Sequence, residues 1–234
     1  MVKFTSENAL KNSQKKRPER PRRSTVDSRK RVQVEQIEQQ RERSVPGLNC
    51  VFLVGFMGAG KTSVGRALGQ RLNWLFEDLD DRIQQREGRT IAQIFRDSGE
   101  AAFRTAEHNA LRELLSELQG GAAKVVALGG GAFVQPKNTK LLKASAVKTL
   151  FLDAPVDQLW DRCCRQANEA GTERPLLQNR AQFRTLHLTR RKSYLKASER
   201  IETNGRSVEE IADAIVLNLG LKNIGVPTVE GEVE

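Results

Sequence analysis

The stretch Gly55-Phe56-Met57-Gly58-Ala59-Gly60-Lys61-Thr62 constrains this 234-residue chain more than any other feature. It matches G-x-x-x-x-G-K-[ST] and stands between an apolar run, Cys50–Val54, and a segment of helical periodicity, Lys61–Leu72. An unbroken apolar run is what a strand buried on both faces of a parallel sheet requires. Glycines let successive backbone N–H groups converge on phosphate oxygens without Cβ clashes, and a helix that starts there adds its positive end. The spacing therefore predicts a strand–loop–helix phosphate site. Gly58, Ala59, Gly60, Lys61, Thr62 and Ser63 are its nucleotide-binding candidates, with Lys61 reaching the β- and γ-phosphates and the Thr62 hydroxyl placed to ligate magnesium. A glycine-rich turn with no ligand is the alternative, and the flanking strand and helix argue against it.

The texture beyond the loop repeats the pattern. Trp74–Leu79, Lys124–Leu128 and Val147–Leu152 read as strands, and Ile201–Thr203 as a shorter edge candidate. Helical patterns cover Gly99–Leu118, Val156–Asn168, Gln178–Lys196 and Ser207–Leu219. Strands alternating with helices predict an α/β domain with a parallel sheet over residues 49–220. Residues 221–234 read as an acidic tail. Residues 1–45 read as a basic extension that is too poor in apolar side chains to offset the entropy of ordering it.

Charge belongs to that extension. Of the net +10, residues 1–48 hold 13 Lys and Arg against 6 Asp and Glu, leaving 26 against 23 elsewhere. The basic balance therefore says little about what the α/β domain binds. A nucleic-acid-binding role for the arm is the less favoured reading beside a solvated extension, and six acidic residues argue against a transit peptide. No apolar run reaches a membrane span and no secretory signal stands near Met1. Three cysteines, Cys50, Cys163 and Cys164, give neither a disulfide framework nor a zinc spacing. A cytoplasmic protein, acting as a monomer, is the expectation.

A phosphate loop names a ligand class, and the acceptor must be read from other residues. The second strand ends in Glu77-Asp78-Leu79-Asp80-Asp81. Period-two alternation would put Asp78 and Asp80 on one side, where one carboxylate serves a magnesium water and the other an acceptor hydroxyl. A helix N-cap at Asp80 or Asp81 is the competing reading. Gly129-Gly130-Gly131 after an apolar strand suggests backbone packed close against a ligand, or else a plain loop. Arg104, Arg174 and Arg190 are each unremarkable as solvated charges. Beside a phosphate loop they suggest a bidentate clamp on an anionic acceptor and a mobile arginine for the transferring group. Phosphoryl transfer needs positioning and charge, so His108 and His187 are read as packing residues, as are Cys163 and Cys164.

These motifs, in this order, resemble the shikimate kinase family over about Val51–Leu219. The resemblance also takes in Gly88-Arg89-Thr90-Ile91-Ala92-Gln93-Ile94-Phe95, Phe103-Arg104 and Arg174-Pro175-Leu176-Leu177. It implies a three-layer P-loop kinase fold with a central five-stranded parallel sheet, a helical substrate-binding region and a lid. It implies transfer of phosphate from ATP, with Mg2+, to the 3-hydroxyl of shikimate. By resemblance, Asp80 binds the ring hydroxyls and activates one, and Arg104 and Arg190 hold the carboxylate. Gly130 and Gly131 contact the substrate while Gly129 stiffens their loop. Asp78 acts through magnesium, Arg174 is the lid arginine, Arg162 neighbours the adenine, and the Thr203–Arg206 loop covers the adenine's other side. Where the family usually carries Arg-x-Pro-x-Tyr, this chain has Arg190-Arg191-Lys192-Ser193-Tyr194, which leaves Arg190 and Arg191 both in place for the clamp. A gluconate kinase relative is the enzyme alternative, and a non-catalytic nucleotide-binding regulator the alternative of another class.

Overall fold

A computed structural model describes residues 50–118, 123–170 and 179–220. Among these residues, five strands form one parallel sheet in the order β2-β3-β1-β4-β5. They are β1 (Cys50–Val54), β2 (Leu75–Asp78), β3 (Lys124–Ala127), β4 (Lys148–Asp153) and β5 (Glu199–Glu202). In the centre Phe52 aligns with Val126 on one side and Thr149 on the other. All five residues of β1 are buried, as its unbroken apolar run requires. The chain leaves β1 past β3 on one side and later returns to β4 on the other. The sheet therefore reverses direction at β1, and the crevice outside the carboxyl ends of its strands opens there.

Helices cover the sheet and complete a three-layer fold. They are α1 (Lys61–Leu72), α2 (Leu79–Glu87), α3 (Ile91–Glu117), α4 (Pro136–Ala144), α5 (Val156–Ala170), α6 (Arg180–Tyr194) and α7 (Val208–Asn218). One core joins them: Val64 and Leu68 of α1, Leu111 and Leu114 of α3, and Ile211 and Ile215 of α7 bury against the strands. Full burial of such a side chain contributes about 1.5–3 kcal/mol, so this apolar layer is the main stabilising element. The core places the carboxyl ends of β1, β2 and β3 beside the starts of α1 and α2, where the candidate residues lie.

The expected elements shift where local capping overrides periodicity. Strand β2 ends at Asp78 rather than Leu79, because the Asp78 side chain caps α2 by accepting the Asp80 N–H. Helix α3 begins at Ile91, not Gly99. A capping box starts it, Thr90 accepting the Gln93 N–H and the Gln93 side chain accepting the Thr90 N–H. Gly99, at φ 76° and ψ 174°, is a break within it. Helix α4, led by Pro136 at its first position, lies where the sequence pattern named no element. The edge strand β5 starts two residues early, at Glu199. Ser207 caps α7 in a second capping box with Glu210, which accounts for the expected start at that residue.

Candidate active site

The phosphate loop runs from the end of β1 into α1. Gly60 caps the helix from the left-handed region, at φ 85°, which leaves the first amides of α1 facing the crevice. Lys61 folds back on this loop, its Nζ donating to the carbonyls of Gly55 and Phe56 at 3.0 Å each. Burial lowers its pKa, while the Asp80 and Asp78 carboxylates oppose that shift. Ala59 is buried under the loop and Ser63 is exposed on the first turn of α1.

Asp78 and Asp80 meet by a route other than strand alternation. Strand β2 stops at Asp78, and Asp80 lies in the first turn of α2. One carboxylate oxygen of Asp78 accepts the Asp80 N–H at 3.0 Å, and the other accepts the Thr62 hydroxyl at 2.9 Å. The helix cap therefore sits at Asp78 and coexists with its place in the site. A hydroxyl and a carboxylate so paired are hard oxygen donors of the kind Mg2+ takes while keeping several of its waters.

Asp80 occupies the middle of the crevice. Its Oδ1 is buried with no hydrogen-bond partner among the described residues. Burial pushes its carboxyl up to about 6, with Asp78 and Asp81 adding to the rise and Lys61 and Arg104 opposing it. Gly129 stands directly against it: a Cβ there would lie 2.5 Å from Asp80 Oδ1. Only a glycine lets the β3 loop come this near. The same loop meets Arg104, whose Nη1 would lie 2.6 Å from a Cβ on Gly131.

Arg104 is held by carboxylates on its own helix. Its Nη1 donates to both oxygens of Glu107 at 3.1 Å, and its Nε and Nη2 to Glu100 at 3.2 and 3.1 Å. Glu107 is only 1% exposed, and burial raises its pKa against the pull of Arg104. Glu107 escaped the sequence reading, although its i, i+3 spacing from Arg104 on a helix was the available signal.

The two adjacent arginines of α6 separate cleanly. Arg190 lies over the Phe56 ring at 5.8 Å and stands 3.8 Å from the Cβ position of Gly130. Arg191 turns away to the buried Asp153, donating from Nε at 3.3 Å, and Arg200 donates to the same carboxylate at 2.8 Å. Arg190 thus faces the crevice and Arg191 fastens α6 to β4. Arg162 of α5 reaches the loop, donating to the Gly58 carbonyl at 3.4 Å. Arg206 bonds back to the Glu202 carbonyl at 3.3 Å, within its own loop. Arg174 lies outside the described residues.

The packing residues behave as expected. His187 sets its ring edge-on to Phe56 at 5.3 Å, and burial lowers its pKa. His108 Nδ1 pairs with Asn138 Oδ1 at 2.8 Å. Cys163 is buried beneath Gly58, and Cys164 is partly buried.

The crevice thus joins a phosphate loop, two carboxylates, a glycine loop and two arginines on one sheet edge. Comparison with known proteins gives this arrangement a family. The family model described as "Shikimate kinase" matches residues 57–219, which is more than half of the chain. A shikimate kinase of Persephonella marina is 36% identical over 167 residues, covering 71% of this chain and 96% of its own. One of Thermus thermophilus is 40% identical over 175 residues, covering 72% of this chain and 89% of its own. Among solved structures, the shikimate kinase of Acinetobacter baumannii in complex with shikimate aligns at 39% identity with a TM-score of 0.65. It covers 75% of this chain and 96% of that one. The chain belongs to the shikimate kinase family.

Proposed function

We infer that this chain transfers the γ-phosphoryl group of ATP to the 3-hydroxyl of shikimate, giving shikimate 3-phosphate and ADP. One observation supports the residue roles most directly. Asp80 presents a buried carboxylate oxygen with no hydrogen-bond partner among the described residues, in the field of the phosphate-loop lysine and Arg104. A buried acceptor without a donor is costly to keep, and an acceptor hydroxyl is the donor that would relieve it.

The step follows from that placement. Arg104 and Arg190 hold the substrate carboxylate and so fix the ring. Gly130 and Gly131 border the ring, and Gly129 lets Asp80 stand against their loop. Asp80, ionised at neutral pH, takes the hydroxyl proton as the oxygen bonds to the γ-phosphorus and the bond to the β-phosphate oxygen breaks. Gly58, Ala59, Gly60, Thr62 and Ser63 cradle the phosphates, and Lys61 swings from its loop carbonyls to the β- and γ-oxygens. Arg162 and Arg206 border the adenine, and Arg174 meets the transferring group from the lid. Thr62 and Asp78 would hold Mg2+, which when bound neutralises charge building on the phosphates. We propose that the chain acts as a monomer. No described helix is long and apolar enough to cross a membrane. The cysteine pattern fits a reducing compartment, and we assign the chain to the cytoplasm.

ADP release at saturating Mg-ATP tests the reading with three samples: shikimate, gluconate and no acceptor. Turnover with shikimate alone is expected. Gluconate also carries a carboxylate and hydroxyls, so preferential turnover with gluconate would overturn the substrate assignment. ADP release independent of any acceptor would overturn the transferase reading.

A further inference from the structure

The glycine loop satisfies two of its three carbonyls by itself. Ala132 N–H donates to the Gly129 carbonyl at 3.0 Å, and Val134 N–H donates to that of Gly131 at 3.1 Å. The middle carbonyl, on Gly130, is taken from outside the loop by the Tyr194 hydroxyl. The Arg190 guanidinium stands beside the same glycine, its Nη1 3.8 Å from the Cβ position of Gly130, and its charge opposes the rise of the Tyr194 phenol. Tyr194 is the last residue of α6 and is fully buried, its ring tilted against Phe151 of β4 at 5.3 Å. Burial pushes its phenol up to about 12, so the hydroxyl keeps its proton and remains a donor across the working range.

A trans peptide carries its C=O and the following N–H on opposite sides of one plane. Fixing the Gly130 carbonyl therefore fixes the direction of the Gly131 N–H. Glycine offers no side chain to hold that plane, and the turn supplies no bond to this carbonyl. Arg190 beside this peptide has several rotatable bonds and a ring contact at 5.8 Å with Phe56. We propose that Tyr194 is a positioning residue for the acceptor: one hydroxyl, bonded to the Gly130 carbonyl beside the Arg190 guanidinium, holds the glycine loop in register with the clamp arginine. The Tyr194 hydroxyl itself bonds to neither the phosphate loop nor Asp78, so the loss of its oxygen bears first on the acceptor side. The proposal rests on the shikimate reading above.

Tyr194→Phe removes one oxygen and keeps the ring that packs on Phe151. The KM for shikimate should rise about tenfold, the effect of one lost hydrogen bond, while the KM for ATP stays within about twofold. A second measurement separates positioning from general loosening. In an Arg190→Lys background the penalty of Tyr194→Phe on kcat/KM for shikimate should shrink, because the guanidinium it orients is gone. Equal rises in both KM values, no rise in either, or penalties that multiply in the double variant would each overturn the proposal. Wild-type turnover with shikimate is read first. Its failure would overturn the functional reading and this proposal with it, whereas a competent wild type with an indifferent Tyr194→Phe overturns the proposal alone.

Discussion

Asp80 carries the strongest consequences at the scale of single residues. Its carboxyl, raised from 3.8 to about 6 chiefly by burial, is ionised in the unfolded chain at a pH where the folded chain still holds the proton. Stability contributed by that proton is complete below about pH 4 and is lost as pH rises through about 6. Asp80→Asn should therefore unfold at higher urea than the parent at pH 7.5, by about 1–3 kcal/mol, with the gap closing toward pH 4. An unchanged gap across that range would mean that the charge is not the cost. The same substitution should lower kcat by about 10²–10⁴-fold, because an amide cannot take the hydroxyl proton. In the parent, kcat/KM for shikimate should fall as pH drops through about 6, where Asp80 is protonated. The paired arginines give a second contrast. Arg190→Lys exchanges a fork for a point charge facing the crevice and should raise the KM for shikimate by about tenfold or more. Arg191→Met leaves Arg200 on Asp153 and should lower stability while sparing that KM. A reversal of the two phenotypes would assign the clamp to Arg191.

Helix α3 shows at the scale of elements what a sequence can and cannot reveal. Gly99 sits at φ 76° and ψ 174°, a conformation nearly closed to other residues, with nothing within 4 Å of a Cβ built on it. Gly99→Ala thus adds strain without a clash and should cost about 1–3 kcal/mol in urea unfolding, with the KM for ATP unchanged. Equal stability would show that the break can straighten, and loss of the Phe95–Phe103 stacking, now at 4.6 Å, would accompany it. Periodicity marked the half of α3 beyond this glycine and missed the half before it, since a break hides the phase that joins them. Strand β1 and helix α1 were legible to the residue, because burial on both faces and a phosphate loop leave little choice. Helix α4 was not, being short, polar and led by a proline, and α2 was marked only by its start, expected at Asp80 or Asp81 and found at Leu79. The site divided in the same way. The structure brings Lys61, Thr62, Asp78, Asp80, Arg104 and the glycine loop into one crevice, and they were singled out because a phosphate loop, hard oxygen donors and an anion clamp demand those residue types. The grip of Glu107 on Arg104 had only its i, i+3 spacing as a signal, whereas the direction of Arg191 and the reach of Tyr194 depend on how α6 packs against the sheet, which no local pattern encodes.

Charge distribution separates two parts of the chain at the scale of the whole molecule. Residues 1–48 carry a net +7 and the remaining residues +3, while the family match begins only at Met57 and β1 at Cys50. The first 45 residues are poor in the apolar side chains needed to pack on the kinase domain, so we propose that they take no part in the phosphoryl transfer. Deleting residues 1–45 should then leave kcat and the KM for each substrate within about twofold at physiological salt. What a basic segment can do at a distance is attract anions, and ATP and shikimate are both anionic. Such attraction is screened over about 8 Å at physiological ionic strength and over about 30 Å at 0.01 M, so any advantage of the full-length chain in kcat/KM should grow as salt is removed. A contact made inside the site would behave differently, since a partly buried pair is screened little. Steady-state kinetics of both forms across a salt series distinguish the two. A loss of kcat on truncation that persists at high salt would mean that the segment folds onto the substrate site or the lid. Retention of RNA in a low-salt gel by the full chain but not by the truncated one would instead assign the segment to nucleic-acid binding.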